Sequence, residues 1–349
     1  MAASDLVLLT GATGHVGYAV LKQLLAQGYT VRAAVRSSAK AELVRTHASV
    51  HAKEGQLSFV IVPDFLVDGA FDEAAKGIKY VIHVASPLPS SQPGGDLDES
   101  FIKPAVQGTI GMFSSARKAG SVKRIVVTSS AVATAPVTVL FGQDDGSVEY
   151  GPDYRAEDIP APYNNNPGVA YVQSKIAALK EAEAWVARER PEFDVVHIHP
   201  SFVLGRDDLT TTVEGFDSGT NAMVLGLVLD RAADPTPSAV VHVGDVAVAH
   251  VKALDPAVSG NQSFLLSSTG KDGMEWEQAK EFAKKHFPDA VERGLLPCKG
   301  TRETGKVWLD NRKTREVLGI EFKGFEDMVV EVVGHYLEVL EQAKKIEGK

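Results

Sequence analysis

Tyr171 and Lys175 stand four residues apart in Tyr171-Val172-Gln173-Ser174-Lys175, so a helix there puts both head groups on one face, able to serve one site. An ammonium beside a phenol favours the phenolate. At about 4 Å and an effective dielectric of about 20 that attraction is about 4 kcal/mol, or roughly three pKa units. A tyrosine tuned in this way exchanges a proton much nearer neutral pH. The spacing alone is cheap, because Tyr18 and Lys22 repeat it; that pair follows a glycine turn and reads as structural. The turn is Thr10-Gly11-Ala12-Thr13-Gly14-His15-Val16-Gly17. Between a strand and a helix, such a turn lets backbone N–H groups approach a pyrophosphate at the positive end of the helix. Its glycines serve the tight bend, close approach to the ligand and close packing of helix on strand. The spacing is Gly-x-x-Gly-x-x-Gly rather than Gly-x-Gly-x-x-Gly, so the flanking elements carry the reading of dinucleotide binding.

Those elements are legible. Leu6 to Leu9 is an apolar strand, and Tyr18 to Leu25 has helical spacing that stops at Gly28. Further strands are expected at 30–36, 57–62, 80–85, 123–128 and 193–199, and a seventh at 263–267. Helical patterns cover 37–53, 68–76, a segment ending near Ala119, and 167–189. A Pro/Ser/Gly loop spans 86–95, and 131–165 is a long polar excursion. Alternating strands and helices predict an α/β fold with a doubly wound parallel sheet covered on both faces. Residues 1–200 form the expected Rossmann domain, with 239–267 returning to it. Residues 201–238 and 268–349 form a smaller, mostly helical substrate lobe, with helices at 220–231, 274–287, 311–318 and 324–346. Ligands gather at the carboxyl ends of parallel strands. The fifth strand ends in Thr128-Ser129-Ser130, which places Ser130 beside Tyr171 to bond a substrate carbonyl oxygen.

The second strand ends in Val35-Arg36-Ser37-Ser38, with Lys40 beyond and no acid before Glu42. An acid there would take a ribose 2′-OH, whereas an arginine accommodates a 2′-phosphate. The cofactor is therefore read as NADP(H), held by Arg36 and Lys40; the plainer alternative is solvated surface charge. Arg32 precedes the strand end and is the weaker candidate. A net charge of −9 without a basic run argues against nucleic acid or an anionic membrane as partner. The single cysteine, Cys298, excludes an intrachain disulfide and a cysteine-based metal site. His197 and His199 share a strand face without an acidic or cysteine neighbour, so no metal is expected. The N-terminal residues lack a basic region, and the apolar runs are too short for a membrane span. A cytoplasmic protein is expected, as a monomer or homodimer.

Together, the glycine turn, Thr128-Ser129-Ser130 and Tyr171-x-x-x-Lys175 resemble the extended short-chain dehydrogenase/reductase family. The resemblance narrows to its dihydroflavonol reductase, cinnamoyl-CoA reductase and fungal or yeast carbonyl reductase branch. It is carried by Phe71 to Gly77, His83-Val84-Ala85-Ser86-Pro87, Pro104 to Thr109, Pro200-Ser201-Phe202-Val203-Leu204-Gly205 and Asp245 to His250, and it covers nearly the whole chain. It implies reduction of an aldehyde or ketone, with Tyr171 as proton donor, Lys175 on the nicotinamide ribose lowering the tyrosine pKa, and Ser130, rather than Ser129, polarising the carbonyl. It implies cofactor contacts from Thr10, Gly11, Thr13, Gly14, His15, Val16, Gly17, Asp64, Phe65, Ala85, Pro200, Ser201 and Val203. Asp64 also reads as a strand-end turn residue. Leu88, Ala131 and Phe202 fall where the branch lines its substrate cleft; small residues at 88 and 131 imply room for a bulky carbonyl compound. His199 stands where the branch usually has Asn. Two other readings remain: a sugar-nucleotide epimerase or dehydratase, and a non-enzymatic NADP sensor.

Overall fold

The structure, a computed structural model, describes residues 5–86, 96–140, 145–271 and 273–347. Seven strands make one sheet: β1 (Leu6–Thr10), β2 (Thr30–Val35), β3 (Leu57–Ile61), β4 (Tyr80–His83), β5 (Arg124–Thr128), β6 (Asp194–Pro200) and β7 (Gln262–Leu266). Their order is β7-β6-β5-β4-β1-β2-β3, with every neighbouring pair parallel. The order reverses between β1 and β4, which opens a crevice for ligands at their carboxyl ends.

The strands are short runs rich in Val, Ile and Leu because helices cover both faces. The helices of eight or more residues are α1 (His15–Ala26), α2 (Ser38–Thr46), α3 (Lys103–Ala119), α4 (Pro167–Glu189), α5 (Asn221–Val228), α6 (Val243–Lys252), α7 (Gln278–His286) and α8 (Phe325–Glu347), and the expected 311–318 helix is present as Arg312–Leu318. On one face Leu21 and Leu24 of α1 and Val246 of α6 bury Val31, Ile82 and Val196. On the other, Met112 and Phe113 of α3 and Trp185 of α4 pack on Leu8, Val81 and Ile125. Arg124 pins the starts of β5 and β6. Its guanidinium donates to both carboxylate oxygens of Asp194 at 2.6 and 2.9 Å and to the carbonyls of Ala253, Asp255 and Val258.

A second core, around Phe216, Leu225, Trp276, Met328, Val329 and Val332, joins α5, α7 and α8. Three small parallel pairs link it to the rest: Phe202–Leu204 with Val240–His242, Ala232–Pro237 with Thr301–Gly305, and Glu149–Tyr150 with Trp308–Leu309. Ala232–Pro237 and Thr301–Gly305 carry polar and Pro residues, so no strand pattern marks them in the sequence. The second helix stops at Thr46 instead of running to Lys53. The chain leaves the helix at His47, which is extended, and further on Gln56 pins the loop, donating to the carbonyls of Leu25 and Tyr29 and accepting from the Lys53 amide. The expected 68–76 helix shrinks to Asp72–Ala75. Among the described residues no helix is long and apolar enough to cross a membrane.

Candidate active site

At the end of β5 the chain stays in register for one more residue, with the Ser129 amide donating to the Ile198 carbonyl at 2.8 Å. Ser130 then caps a one-turn 3-10 helix, Ala131–Ala133, accepting from the Val132 amide at 3.4 Å. Helix α4 starts cleanly because Asn166 accepts from the amides of Gly168 and Val169 and Pro167 occupies the first turn. Just before it, Tyr163, Asn164 and Asn165 all lie at positive φ. That start sets Tyr171 and Lys175 on the face of α4 that meets β5. The Ser130 hydroxyl lies near enough to the Tyr171 phenol to pull its pKa down against burial. The Lys175 ammonium sits 5.5 Å from the centre of the Tyr171 ring and donates to Ser86 Oγ at 2.9 Å. Ser130, Tyr171 and Lys175 are thus brought near one another at the end of β5.

The electrostatics correct one expectation. Lys175 does not lower the Tyr171 pKa here: burial pushes the phenol up, and the Ser130 hydroxyl offsets only part of that. The ammonium lies over the ring face and bonds Ser86, so its field is not focused on the phenol oxygen. Burial instead lowers Lys175 itself, to about 8. Its charge in turn helps burial lower His83 to about 4. His83 is therefore neutral near pH 7, and its Nδ1 accepts from the Thr10 hydroxyl at 3.0 Å. That direction follows because Thr10 Oγ1 already accepts from the Val84 and Ala85 amides, both at 3.1 Å. Thr10 thereby ties the end of β1 to the loop after β4.

The glycine turn fits a dinucleotide. A Cβ on Gly11 would sit 2.8 Å from the Ala85 nitrogen, and one on Gly17 would sit 2.0 Å from the Gly11 carbonyl oxygen, so both positions require glycine for packing. Gly14 faces outward with nothing nearer than 3.7 Å, and no side chain caps the first amides of α1. These free donors suit a pyrophosphate. Thr13 and Val16 are partly buried at the same turn, and Val16 packs on the core. His15 turns toward the backbone of Gly205 and Arg206, and burial lowers its pKa.

Arg36 is exposed at the end of β2, its guanidinium 5.8 Å from the centre of the Phe65 ring. Lys40 is exposed in the first turn of α2. Among the described residues neither has a carboxylate partner, and Glu42 is held by Arg45 at 2.6 Å. Arg32 is spent on the Ala74 and Lys76 carbonyls. Asp64 accepts from the Leu66 amide at 2.8 Å, a turn that sets Phe65 against Gly108 of α3, where a Cβ would come within 2.9 Å of the ring.

Pro200 ends β6 and Ser201 follows it, with the Ser201 amide bonded to the Leu266 carbonyl. Val203 points into the core, so only its backbone is available to a ligand. Phe202 lies edge-on to Trp276, with ring centres 6.4 Å apart. Ala131 is buried with Tyr150 and Leu309. Leu88 lies outside the described residues. Among them, no three His, Cys, Asp or Glu side chains converge as metal ligands. Two neighbours of Lys175 had no role in the sequence reading, Ser86 and His83. The available signal was register: His83 pairs with Thr10 on one side and Val127 on the other.

Residues 7–265 match the model of the NAD dependent epimerase/dehydratase family. Ketoreductase CTB6 of Cercospora nicotianae is 42% identical over 356 aligned positions, covering 99% of this chain and 98% of that protein. The fold is similar to that of yeast methylglyoxal/isovaleraldehyde reductase Gre2 complexed with NADPH, with a TM-score of 0.80 and 24% identity over 96% of this chain and 99% of that one. Gre2 from Candida albicans in complex with NADPH gives a TM-score of 0.77 at 25% identity, with the same coverage.

Proposed function

The chain belongs to the NAD dependent epimerase/dehydratase family, and from that premise we propose that it reduces an aldehyde or ketone to the alcohol with NADPH. The observation that carries this reading is the meeting of Ser130, Tyr171 and Lys175 at the carboxyl end of β5, beside the crevice between β1 and β4. The likeness to a ketoreductase and to a reductase that holds NADPH supports it.

The group held at the glycine turn would be NADPH, which when bound would supply a hydride to the carbonyl carbon. Tyr171 keeps its proton near pH 7, since burial raises its pKa, and so is a ready general acid toward the carbonyl oxygen. Ser130 donates a hydrogen bond to that oxygen as negative charge grows on it. Lys175 would present N–H donors to ribose hydroxyls. Thr10 holds the Ala85 backbone against Gly11 as the wall behind the cofactor. Arg36 and Lys40 offer two uncompensated cations to a 2′-phosphate, with Phe65 stacked behind the guanidinium. Ala131 and Phe202 are assigned to the substrate side of the site.

The test is oxidation of NADPH and NADH, side by side, against aldehydes, α-keto esters and aryl ketones. Turnover with NADPH and little with NADH is expected. Arg36→Ala should raise the KM for NADPH about 10- to 100-fold, the worth of one charge-assisted hydrogen bond, and leave that for NADH unchanged. Consumption of neither cofactor, with tightly held NAD(H) in the purified protein, would favour an epimerase or dehydratase.

A further inference from the structure

Thr128, the last residue of β5, stands two residues before Ser130. Its hydroxyl lies 2.7 Å from Nε2 of His250, on α6. The other ring nitrogen, Nδ1, lies 2.8 Å from the Val246 carbonyl one turn back. A carbonyl only accepts, so Nδ1 carries the ring proton, Nε2 is bare, and Thr128 donates to it. His250 is fully buried, and burial lowers its pKa to about 4, so the ring is neutral near pH 7. Thr128 is β-branched, which leaves its side chain few rotamers, so the bond holds the end of β5 to α6. Packing does not call for this pair. Val126 on the same strand and Val246 on the same helix belong to the apolar core, and an apolar pair of matching shape there would be nearly neutral for stability.

We propose that His250 is a positioning residue for Ser130: by accepting the Thr128 hydroxyl it fixes the end of β5 on α6, and with it the point from which the Ser130 hydroxyl faces Tyr171. The part Ser130 plays in catalysis rests on the function proposed above; the bond between Thr128 and His250 does not. Past Ser129 the chain leaves the sheet, and Ser130 takes bonds from the Val132 and Ala133 amides of its own turn. Those bonds move with the turn and cannot place it. The placing falls to the two residues before it. Ser129 is tied by its amide to Ile198 in the neighbouring strand, and Thr128 by its hydroxyl to His250 in the helix that packs on the sheet. A neutral imidazole does this without setting a charge beside the site.

The experiment follows the Tyr171 phenol by ¹³C NMR of Cζ-labelled tyrosine, its signal identified as the one lost in Tyr171→Phe. Ser130→Ala should raise the Tyr171 pKa, since the Ser130 hydroxyl pulls it down. Thr128→Val keeps the side-chain shape and removes the donor. It should raise the Tyr171 pKa by about half a unit, threefold in proton affinity, and add nothing in a Ser130→Ala background. Thr128→Ser, which keeps the hydroxyl, should titrate close to native. Native titration in Thr128→Val overturns the proposal, and so does a rise that persists in full on Ser130→Ala or is shared by Thr128→Ser. In the carbonyl assay Thr128→Val should lower kcat about tenfold, the worth of one hydrogen bond, with the KM for NADPH within about twofold. A native kcat, or a KM that moves with kcat as in a general loosening of the fold, overturns it as well. If Thr128→Val does not fold, Thr128→Val/His250→Leu, which leaves no ring nitrogen unpaired, takes its place in each comparison. The titration needs neither NADPH nor a carbonyl, so its failure is separable from a failure of the reductase reading.

Discussion

The chain contains the same four-residue Tyr–Lys step twice, and the two copies differ in what surrounds them. On α1 the Lys22 ammonium lies 5.7 Å from the centre of the Tyr18 ring; on α4 Lys175 lies 5.5 Å from that of Tyr171. The internal geometry is nearly identical. Yet the Tyr18 hydroxyl is taken by Ser49 at 2.8 Å, and Lys22 is neutralised by Asp208. Tyr171 meets Ser130 at the ligand end of the sheet, and Lys175 is 7% exposed with a neutral hydroxyl as its partner. Helical spacing makes a pair possible. The end of β5 and an uncompensated charge make it reactive.

The largest expected effect breaks the pairs apart at the phenol. Tyr171→Phe should lower kcat by about 10²- to 10⁴-fold, the usual worth of a positioned general acid, while NADPH still binds in a fluorescence titration. Tyr18→Phe should leave kcat within about twofold, because its hydroxyl serves only a structural hydrogen bond to Ser49. Equal losses in the two variants would mean that Tyr171 acts through the fold rather than through its proton.

The hydroxyl partners sharpen the contrast. Ser130→Ala removes a donor aimed at the developing oxyanion and should cost about 10²- to 10³-fold in kcat. Ser49→Ala removes the equivalent partner of Tyr18 and should move only stability, by about 1 kcal/mol, read from urea unfolding.

Local signals in the chain were enough for the strand, glycine turn and α1, for the run of sheet strands and for the face shared by Tyr171 and Lys175. Each depends on residues close in sequence. What Lys175 touches depends on register across four strands, so Ser86 and His83 could not be read from spacing. The expected fall in the Tyr171 pKa failed for a related reason: an i,i+4 step says two groups are near but not whether the ammonium faces the oxygen or the ring. The polar strands Ala232–Pro237 and Thr301–Gly305 exist because they pair with each other, which neither sequence announces.

The pH dependence separates the lysines. Burial depresses Lys175 to about 8, and kcat/KM reports groups of the free enzyme. With the ammonium as the form that holds the ribose, kcat/KM for NADPH should be flat at neutral pH and fall about tenfold per unit above pH 8. Lys22→Met should keep that alkaline limb unchanged. A limb that moves with Lys22 would assign it to the wrong pair.

Stability gives the smallest effect and the one whose sign differs between the pairs. The folded protein holds the Lys175 proton less tightly than the unfolded chain does, since its pKa falls from 10.5 to about 8. Below pH 8 both states are charged and the fold carries the whole cost of the buried ammonium. That cost shrinks as pH rises from about 8 to 10.5 and is gone above. At 1.36 kcal/mol per unit it is at most about 3 kcal/mol. Lys175→Met keeps the apolar stem and discards the charge, so at pH 7 it should raise the unfolding free energy by about 1–3 kcal/mol, with most of the gain lost by pH 10. Lys22→Met leaves Asp208 with Arg206 at 2.9 Å as its remaining cation, and should cost less than about 1 kcal/mol. Urea unfolding of both variants at the two pH values decides the matter. A Lys175→Met protein less stable than native at pH 7 would show that the Ser86 hydrogen bond compensates the ammonium fully, and that its low pKa is set by something other than burial.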